Sequence, residues 1–155
     1  MKGFWRCAKG AGRAAALSLT LVACGGGMAA QPATRLYARQ SWVLLPIANH
    51  SETPQAGERV RSILGTLFRE RGVEDVREAP RPPASEGLPD LDEAHKVEAA
   101  LAWARKEGVT YGVTGSVNEW RYRPGGDGGP AVGVSLQVVV VQRGRVAWTA
   151  SGSRG

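Results

Sequence analysis

The order of its predicted elements limits the fold of this chain more than any other feature of the sequence. Trp42–Ile47 is continuously apolar, which is typical of a strand covered on both faces. Pro46 is expected at the end of this strand or on a sheet edge, because proline cannot donate to a β-ladder. Helical and strand patterns then alternate along the rest of the chain.

A first helix is predicted between the Thr53-Pro54 pair and Gly72. Threonine before proline is typical of an N-cap and first helical position, and glycine is typical of a C-terminal stop. Apolar residues recur between them at helical spacing: Ala56, Val60, Ile63, Leu64, Leu67 and Phe68. A weaker alternation over Val73–Ala79 predicts a second strand.

A second helix is predicted between Asp90 and Gly108. It follows a loop at 80–89 that contains four prolines. Asp90 and Glu93 have the spacing of a capping box, with Asp90 as the cap. The stripe predicted to face the core of the protein consists of Ala94, Val97, Leu101 and Ala104.

Three strands are predicted after the second helix. Residues alternate from Tyr111 to Tyr122, and a glycine-rich loop follows at 124–130. The alternating runs 131–142 and 145–152 flank Arg143-Gly144, which is the pattern of a β-hairpin. The order β-α-β-α-β-β-β predicts a single small α/β domain with a mixed β-sheet packed by helices.

The N-terminus has the charge layout of a secretory signal. Four basic residues precede an uncharged run at 14–23, and no acidic residue occurs before Glu52. This run is too short to span a membrane, which needs roughly 20 apolar residues. Its end, Leu21-Val22-Ala23-Cys24, resembles the lipoprotein box of bacteria. The resemblance implies cleavage before Cys24 and lipidation of its thiol and new amino group; the alternative is an ordinary signal peptide with Cys24 as a bystander.

Cleavage at that position would divide the chain into three parts. Residues 1–23 would be the lipoprotein signal peptide, 24–40 a lipidated flexible tether, and 41–155 an α/β domain in the periplasm. The tether prediction rests on glycines, a proline and the lack of an apolar period. Because Gly25 rather than aspartate follows the cysteine, the expected location is the periplasmic face of the outer membrane.

Cleavage would also change the charge balance. The full chain has 20 basic and 14 acidic residues, a net charge of +6, and loss of four basic residues leaves 16 − 14 = +2. Because the signal supplies four of the six net positive charges, no nucleic-acid partner is predicted. Cys7 would be removed and Cys24 lipidated, which leaves no thiol for a disulfide, a metal or a nucleophile.

The sequence predicts neither catalysis nor metal binding. His50-Ser51-Glu52 contains hydrolase residue types, but adjacent residues do not assemble a triad, so a turn is the preferred interpretation. The GGDGGPAVG segment lacks the lysine of a nucleotide loop. His50 and His95 lack the spacing of a metal motif. The chain is therefore predicted not to be an enzyme and to carry no cofactor besides the lipid on Cys24.

Two groups of residues are candidates for contact with a partner. The first is an acidic run without an intervening basic residue: Glu86, Asp90, Asp92 and Glu93. Helix capping explains such a run, and a carboxylate patch for a cationic partner is the alternative.

The second candidate group is aromatic and consists of Trp120 and Tyr122. Strict alternation places both rings on one strand face with the polar residues Ser116 and Asn118. Core packing is the default interpretation for such rings. Contact with a partner subunit, a sugar or the membrane interface is the alternative.

Four segments together resemble one family. They are S-W-V-L-L-P at 41–46, N-H-S-E-T-P-Q-A-G at 49–57, G-S-V-N-E-W-R-Y at 115–122 and P-A-V-G-V-S-L at 130–136. In order and spacing they resemble the Pel exopolysaccharide export lipoproteins, the PelC family. More loosely, the architecture is similar to the curli-secretion channel subunit and to lipoproteins that activate penicillin-binding proteins.

The resemblance implies a periplasmic lipoprotein that forms a homo-oligomeric ring beneath an outer-membrane β-barrel exporter and guides a cationic polysaccharide outward. The candidate polysaccharide-facing acids are Glu86, Asp90, Asp92 and Glu93. Relatives carry a further C-terminal helix, which is expected to be absent from this chain. The alternative function is a regulatory lipoprotein that binds a periplasmic peptidoglycan synthase.

Overall fold

The computed structural model describes residues 29–32, 35–81, 89–122 and 129–155, with backbone alone for 29–32, 89–91 and 122. In chain order its elements are β1 (Ala29–Pro32), β2 (Trp42–Asn49), α1 (Ala56–Glu70), β3 (Val76–Glu78), α2 (Pro89–Lys106), β4 (Tyr111–Tyr122), β5 (Pro130–Val140) and β6 (Arg145–Arg154). From β2 onward, this is the predicted order. No helix within the described ranges is long and apolar enough to cross a membrane.

The strands form one mixed sheet in the order β1-β6-β5-β4-β2-β3. Strand β2 is parallel to β3 and β4, because α1 and α2 return the chain to the same end of the sheet. The remaining pairs are antiparallel, and Gly144 with a φ of 60° closes the predicted hairpin between β5 and β6. The predicted fold class, a single α/β domain with helices packed on a mixed sheet, is confirmed.

Strand β2 is buried on both faces, which explains its continuous apolar run. Trp42 and Leu44 pack in the cluster beneath α1, whereas Val43 and Leu45 pack in a second cluster with α2. Alternation along a strand sends successive side chains to opposite faces, so both helices cover the same strand. Each fully buried side chain of this size contributes about 1.5–3 kcal/mol to stability.

Pro46 lies within strand β2 and not at its end, because the strand continues to Asn49. Strand β3 pairs with β2 only from Trp42 to Leu44, so among the described residues Pro46 has a strand neighbour on the β4 side alone and lies on a local edge, as predicted. The register with β4 shifts between Leu44 and Ile47, and this irregularity accommodates the missing N–H of Pro46. The carbonyl of Pro46 still accepts a hydrogen bond from the Thr114 hydroxyl at 2.8 Å.

Helix α1 begins later than predicted. Its N-cap is Gln55, with a left-handed φ of 62° and no side-chain cap, and not Thr53. The Thr53 hydroxyl instead donates to the carbonyl of Trp120 on β4, which holds the preceding loop against the sheet. The predicted stop is confirmed, because Gly72 has a φ of +80° and its N–H donates to the Arg69 carbonyl at 3.0 Å.

Helix α2 also starts differently from the prediction. Its first residue is Pro89, a favoured first helical position, so Asp90 lies inside the first turn and is not the cap. Its buried residues are Ala100 and Ala104, while Ala94 from the predicted stripe is exposed. The predicted stop at Gly108 is confirmed by its φ of +68°.

Strand β1 corrects part of the tether prediction. Ala29–Pro32 pairs antiparallel with β6, from Ala29 opposite Ser151 to Pro32 opposite Trp148. A free β6 edge would leave unpaired backbone groups, and β1 satisfies them. These four residues are therefore not a flexible tether. The predicted signal peptide and Cys24 lie outside the described residues.

Candidate functional site

A polar groove of about 570 Å³ opens where β4, β5 and β6 extend beyond β2. Strand β2 pairs with β4 as far as Asn49 opposite Val117, and β4 then continues with β5 alone. The turn at 50–52 and the β4 segment 118–121 line this groove, together with 133–135 of β5 and 151–153 of β6. These segments bring together residues that are distant in the sequence.

One face of the sheet provides the floor of the groove. Ser135 pairs with Ser116 on one side and with Ser151 on the other, and Gly133 pairs with Glu119 and Ser153. Residues directly opposite each other point to the same face of a sheet. This face is opposite to the one that carries the cluster beneath α1, because Val117 and Val134 alternate with these residues.

Asn118 is held in one orientation on this floor. Its amide nitrogen donates to the Ser135 hydroxyl at 3.3 Å, and its amide oxygen accepts from the Ser116 hydroxyl at 3.1 Å. An amide has two N–H donors, so one of them is left for a further partner. The floor thus presents a preoriented amide among hydroxyl groups.

The rim of the groove carries charged side chains of both signs. Glu119 and Arg121 form an ion pair at 2.5 Å, with 37% and 45% of their side chains exposed. His50 and Glu52 are exposed on the opposite wall. Apart from His50, two carboxylates and one guanidinium give this rim a net charge of −1, from 1 − 2.

The wall formed by residues 50–52 is fixed by Asn49. Its side-chain oxygen accepts from the Ser51 N–H at 3.1 Å and from the Ser51 hydroxyl at 2.7 Å. Its side-chain nitrogen donates to the Thr53 carbonyl at 2.8 Å. The backbone N–H of His50 donates to the Val117 carbonyl, also at 2.8 Å. These bonds confirm the predicted turn and engage the Ser51 hydroxyl in it.

Trp120 lies on a different face from the one predicted. The register between β4 and β5 shifts between Val117 and Glu119, so one extra residue on β4 exchanges the two faces beyond that point. Trp120 is partly buried against the cluster beneath α1, and not beside Ser116 and Asn118. The side chain of Tyr122 lies outside the described residues, and partner contact by either ring remains a prediction.

Asp92 and Glu93, the described acids at the start of α2, are not among the residues that line the polar groove, and they are partly neutralised. Lys96 pairs with Asp92 and, at 3.1 Å, with Glu93. Hydrogen bonds to Asp92 and then to Glu93 raise the pKa of the Lys96 ammonium above its ordinary value. Asp90 is described by its backbone alone and Glu86 lies outside the described residues, so a shared carboxylate patch remains a prediction.

A smaller cleft of about 280 Å³ adjoins these acids. Arg81 pairs there with Glu58 at 2.7 Å, and Glu93 and Lys96 line the same cleft. Arg61, only 5% exposed, donates to the Ala79 carbonyl at 2.6 Å and fastens α1 to the chain that follows β3. Charges of opposite sign therefore alternate in this cleft.

Within the described ranges, no group of three or more His, Cys, Asp or Glu side chains could hold a metal ion.

The residues that form the groove floor were not among the candidate site residues predicted from the sequence. They are Asn118, Gly133, Ser135, Ser151 and Ser153. Their signal is present in the sequence, because the hairpin register aligns polar or small residues on one face of three strands. The alternation of residues within one strand does not reveal how that strand is aligned with its neighbours.

Comparison with solved structures identifies closely similar chains. Two structures of PelC dodecamers from Paraburkholderia phytofirmans, one of a single-residue variant, are each 35% identical to this chain. Their TM-scores are 0.69 and 0.68, with coverage of 84% of this chain and of 82% and 81% of those chains. The LpoB C-terminal domain from Salmonella enterica has a TM-score of 0.54 at 16% identity and shares the fold alone, over 77% of this chain and 84% of its own.

No protein-family model matches the chain, and no curated protein matches it. The assignment therefore rests on the solved structures, and it agrees with the family that the sequence resembles. Identity of 35% over more than four fifths of both chains shows that the two proteins belong to the same family. The chain belongs to the PelC family.

Proposed function

We propose that the protein is an outer-membrane lipoprotein that assembles into a ring and guides the cationic exopolysaccharide Pel to an outer-membrane export barrel. The observation that carries this proposal is the 35% identity with PelC dodecamers over 82% of the length of that chain. The similar chains are dodecamers, which supports a homo-oligomer for this protein as well.

A ring would multiply weak charge interactions. Exposed ion pairs are worth about 0–1 kcal/mol each and are screened by salt, so one carboxylate does not hold a polymer. Repetition around a ring raises the total attraction while each contact stays short-lived. Asp92 and Glu93 would contribute less than two full charges per copy, because Lys96 pairs with both.

Lipidation of Cys24 would hold the ring close to the membrane. Two or three acyl chains anchor a protein stably, where one chain is marginal. Strand β1 begins at Ala29, so five residue steps separate it from Cys24. At roughly 3.4 Å per extended residue, the anchor lies within about 17 Å of the sheet edge.

The alternative, regulation of a peptidoglycan synthase, has weaker support. LpoB shares the fold at 16% identity, and a likeness at that level carries no function. It becomes an outcome of the test for the first proposal: capture of a peptidoglycan synthase, with cell-wall defects and normal polymer export in a deletion strain, would favour it.

The test combines assembly with export. Native mass spectrometry of the detergent-solubilised protein is expected to show a large homo-oligomer. In a deletion strain, the Cys24→Ala variant should leave the membrane fraction and fail to restore secreted polymer. Cys7→Ala is the matched control, because Cys7 is removed with the signal and its loss should change neither readout. A monomer in detergent, or normal polymer secretion in the deletion strain, contradicts the proposal.

A further inference from the structure

We propose that the polar groove between the 50–52 turn and strands β4, β5 and β6 binds a protonated amino-sugar unit. The inference rests on the proposed function for the choice of polymer, and on the groove itself for the place of contact. A saccharide needs hydrogen-bonding groups in fixed positions, and a protonated amine needs a carboxylate near them. The groove supplies both.

The floor supplies the fixed hydrogen-bonding groups. Asn118 is oriented by Ser116 and Ser135, and Ser151 extends the row of hydroxyls onto β6. Hydroxyl groups donate and accept, and the free N–H of the amide donates, so together they match the hydroxyls of a sugar ring. Because three paired strands carry these groups, their spacing is set by the sheet rather than by a flexible loop.

Glycine at position 133 gives the groove its depth. A Cβ built at Gly133 would lie 3.5 Å from the Glu119 Cβ and 3.9 Å from the Asn118 Cβ. These are ordinary contact distances, so a side chain could be accommodated by the backbone and would occupy the space above the floor. The lack of a side chain is therefore what leaves room for a ligand between Asn118 and Glu119.

The rim selects for positive charge. Glu119 is paired with Arg121, but among the described residues no ion-pair partner is found for Glu52. An ammonium group at this wall would meet an exposed carboxylate, whereas a phosphate or carboxylate ligand would meet a net negative rim. Trp120 and Val134 also line the groove, but they pack toward the cluster beneath α1 on the opposite face. The floor itself therefore consists of hydroxyl and amide groups, which suit a saccharide better than the apolar anchor of a protein partner.

Calorimetric titration of the mature lipidated protein in detergent tests the site. The probes are a short oligomer of glucosamine and its fully N-acetylated counterpart. The glucosamine oligomer is expected to bind, and the N-acetylated oligomer to bind more weakly. Glu52→Gln should weaken binding roughly 2- to 5-fold, the range of one exposed ion pair. Glu70→Gln is the control, because Glu70 is exposed on α1 away from the groove.

Gly133→Val tests the shape of the groove. Valine favours strands and should fill the floor, so binding should be lost while the circular dichroism spectrum is unchanged. If this variant does not fold, the Glu52→Gln variant alone tests the proposal. Glu52 is exposed on a turn, so its substitution should leave the fold intact. Absence of binding to the wild type, wild-type affinity in both variants, or a changed oligomer size for either variant on native mass spectrometry overturns the proposal. The last result would make the groove a subunit contact.

The outcome can be separated from that of the proposed function. If the wild-type gene restores polymer export but the protein does not bind glucosamine oligomers, the groove proposal is wrong and the export role stands. If export is normal in the deletion strain, the export role is wrong, whatever the titration shows.

Discussion

Strand β4 passes through two environments, and the contrast between them separates stability from binding. From Tyr111 to Val117 it lies between β2 and β5, and Val113 and Val117 are buried. Beyond Val117 it pairs with β5 alone as far as Tyr122, and residues 118–121 line the polar groove. The register shift after Val117 marks the boundary.

The two ends are stabilised by different forces. In the covered end, burial of apolar side chains dominates, at about 1.5–3 kcal/mol each. In the open end, single hydrogen bonds hold the turn and the floor, with a net value of about 0.5–1.5 kcal/mol each. Substitutions at the covered end should therefore unfold the domain, while those at the open end should alter binding and leave the fold intact.

The largest effect is expected from a buried valine. Val43→Ala removes two methyl groups from a fully buried site, at about 0.8 kcal/mol per carbon plus the cost of a cavity. We expect a loss of about 2–3 kcal/mol in the free energy of unfolding, measured by urea denaturation. Val146→Ala is the matched control on β6, where the valine is 44% exposed, and its effect should stay within about 0.5 kcal/mol. Equal losses in both variants would remove the contrast between covered and open strand segments.

Much of the fold could be predicted because the covered end follows simple patterns. The apolar run of β2, the helical spacing of α1 and the stops at Gly72 and Gly108 each reflect one local rule. The face of Trp120 could not be predicted in this way, because a single extra residue in β4 reverses the alternation. A bulge depends on how a strand pairs with its partner, and the alternation pattern of a single strand carries no information about that pairing.

The candidate site was harder to predict than the fold. Its floor consists of serines, a glycine and an asparagine that become neighbours only when three strands are in register. The acidic run near α2 is visible in the sequence, and so is the spacing that pairs it with Lys96. Lys96 follows Asp92 by four residues and Glu93 by three, which is the spacing of neighbours on a helix surface.

A medium effect is expected where the turn meets β4. Thr53→Val keeps the shape of the side chain and removes its hydroxyl bond to the Trp120 carbonyl. We expect a loss of about 1 kcal/mol in stability and faster amide exchange at the 50–52 turn. Thr66→Val is the control, because Thr66 makes an exposed bond to Ser62 within α1. If exchange at the turn does not change, Thr53 does not fix the wall of the groove.

The smallest effect on stability is expected at Lys96, which pairs with the acidic start of α2 on the surface of the helix. Lys96→Gln removes two partly exposed helix-surface ion pairs, and we expect a loss of about 0.3–1 kcal/mol at neutral pH. Because the pKa of Lys96 is raised in the folded state, its contribution is complete below the ordinary value of 10.5 and is lost as pH rises through the raised value. The difference between wild type and variant, measured by urea denaturation, should therefore shrink in strongly alkaline solution.

The same variant tests whether these acids contact the polymer. Removal of Lys96 changes the charge of the cluster with Asp92 and Glu93 from −1 to −2, from 1 − 2 to 0 − 2. If the cluster faces the polymer, retention on immobilised glucosamine oligomer should increase and should decrease again with added salt. Lys106→Gln removes the same charge from the far end of α2 and supplies the control for net charge. Equal retention of the two variants would leave the polar groove, and not the acidic helix start, as the place where this domain meets a cationic chain.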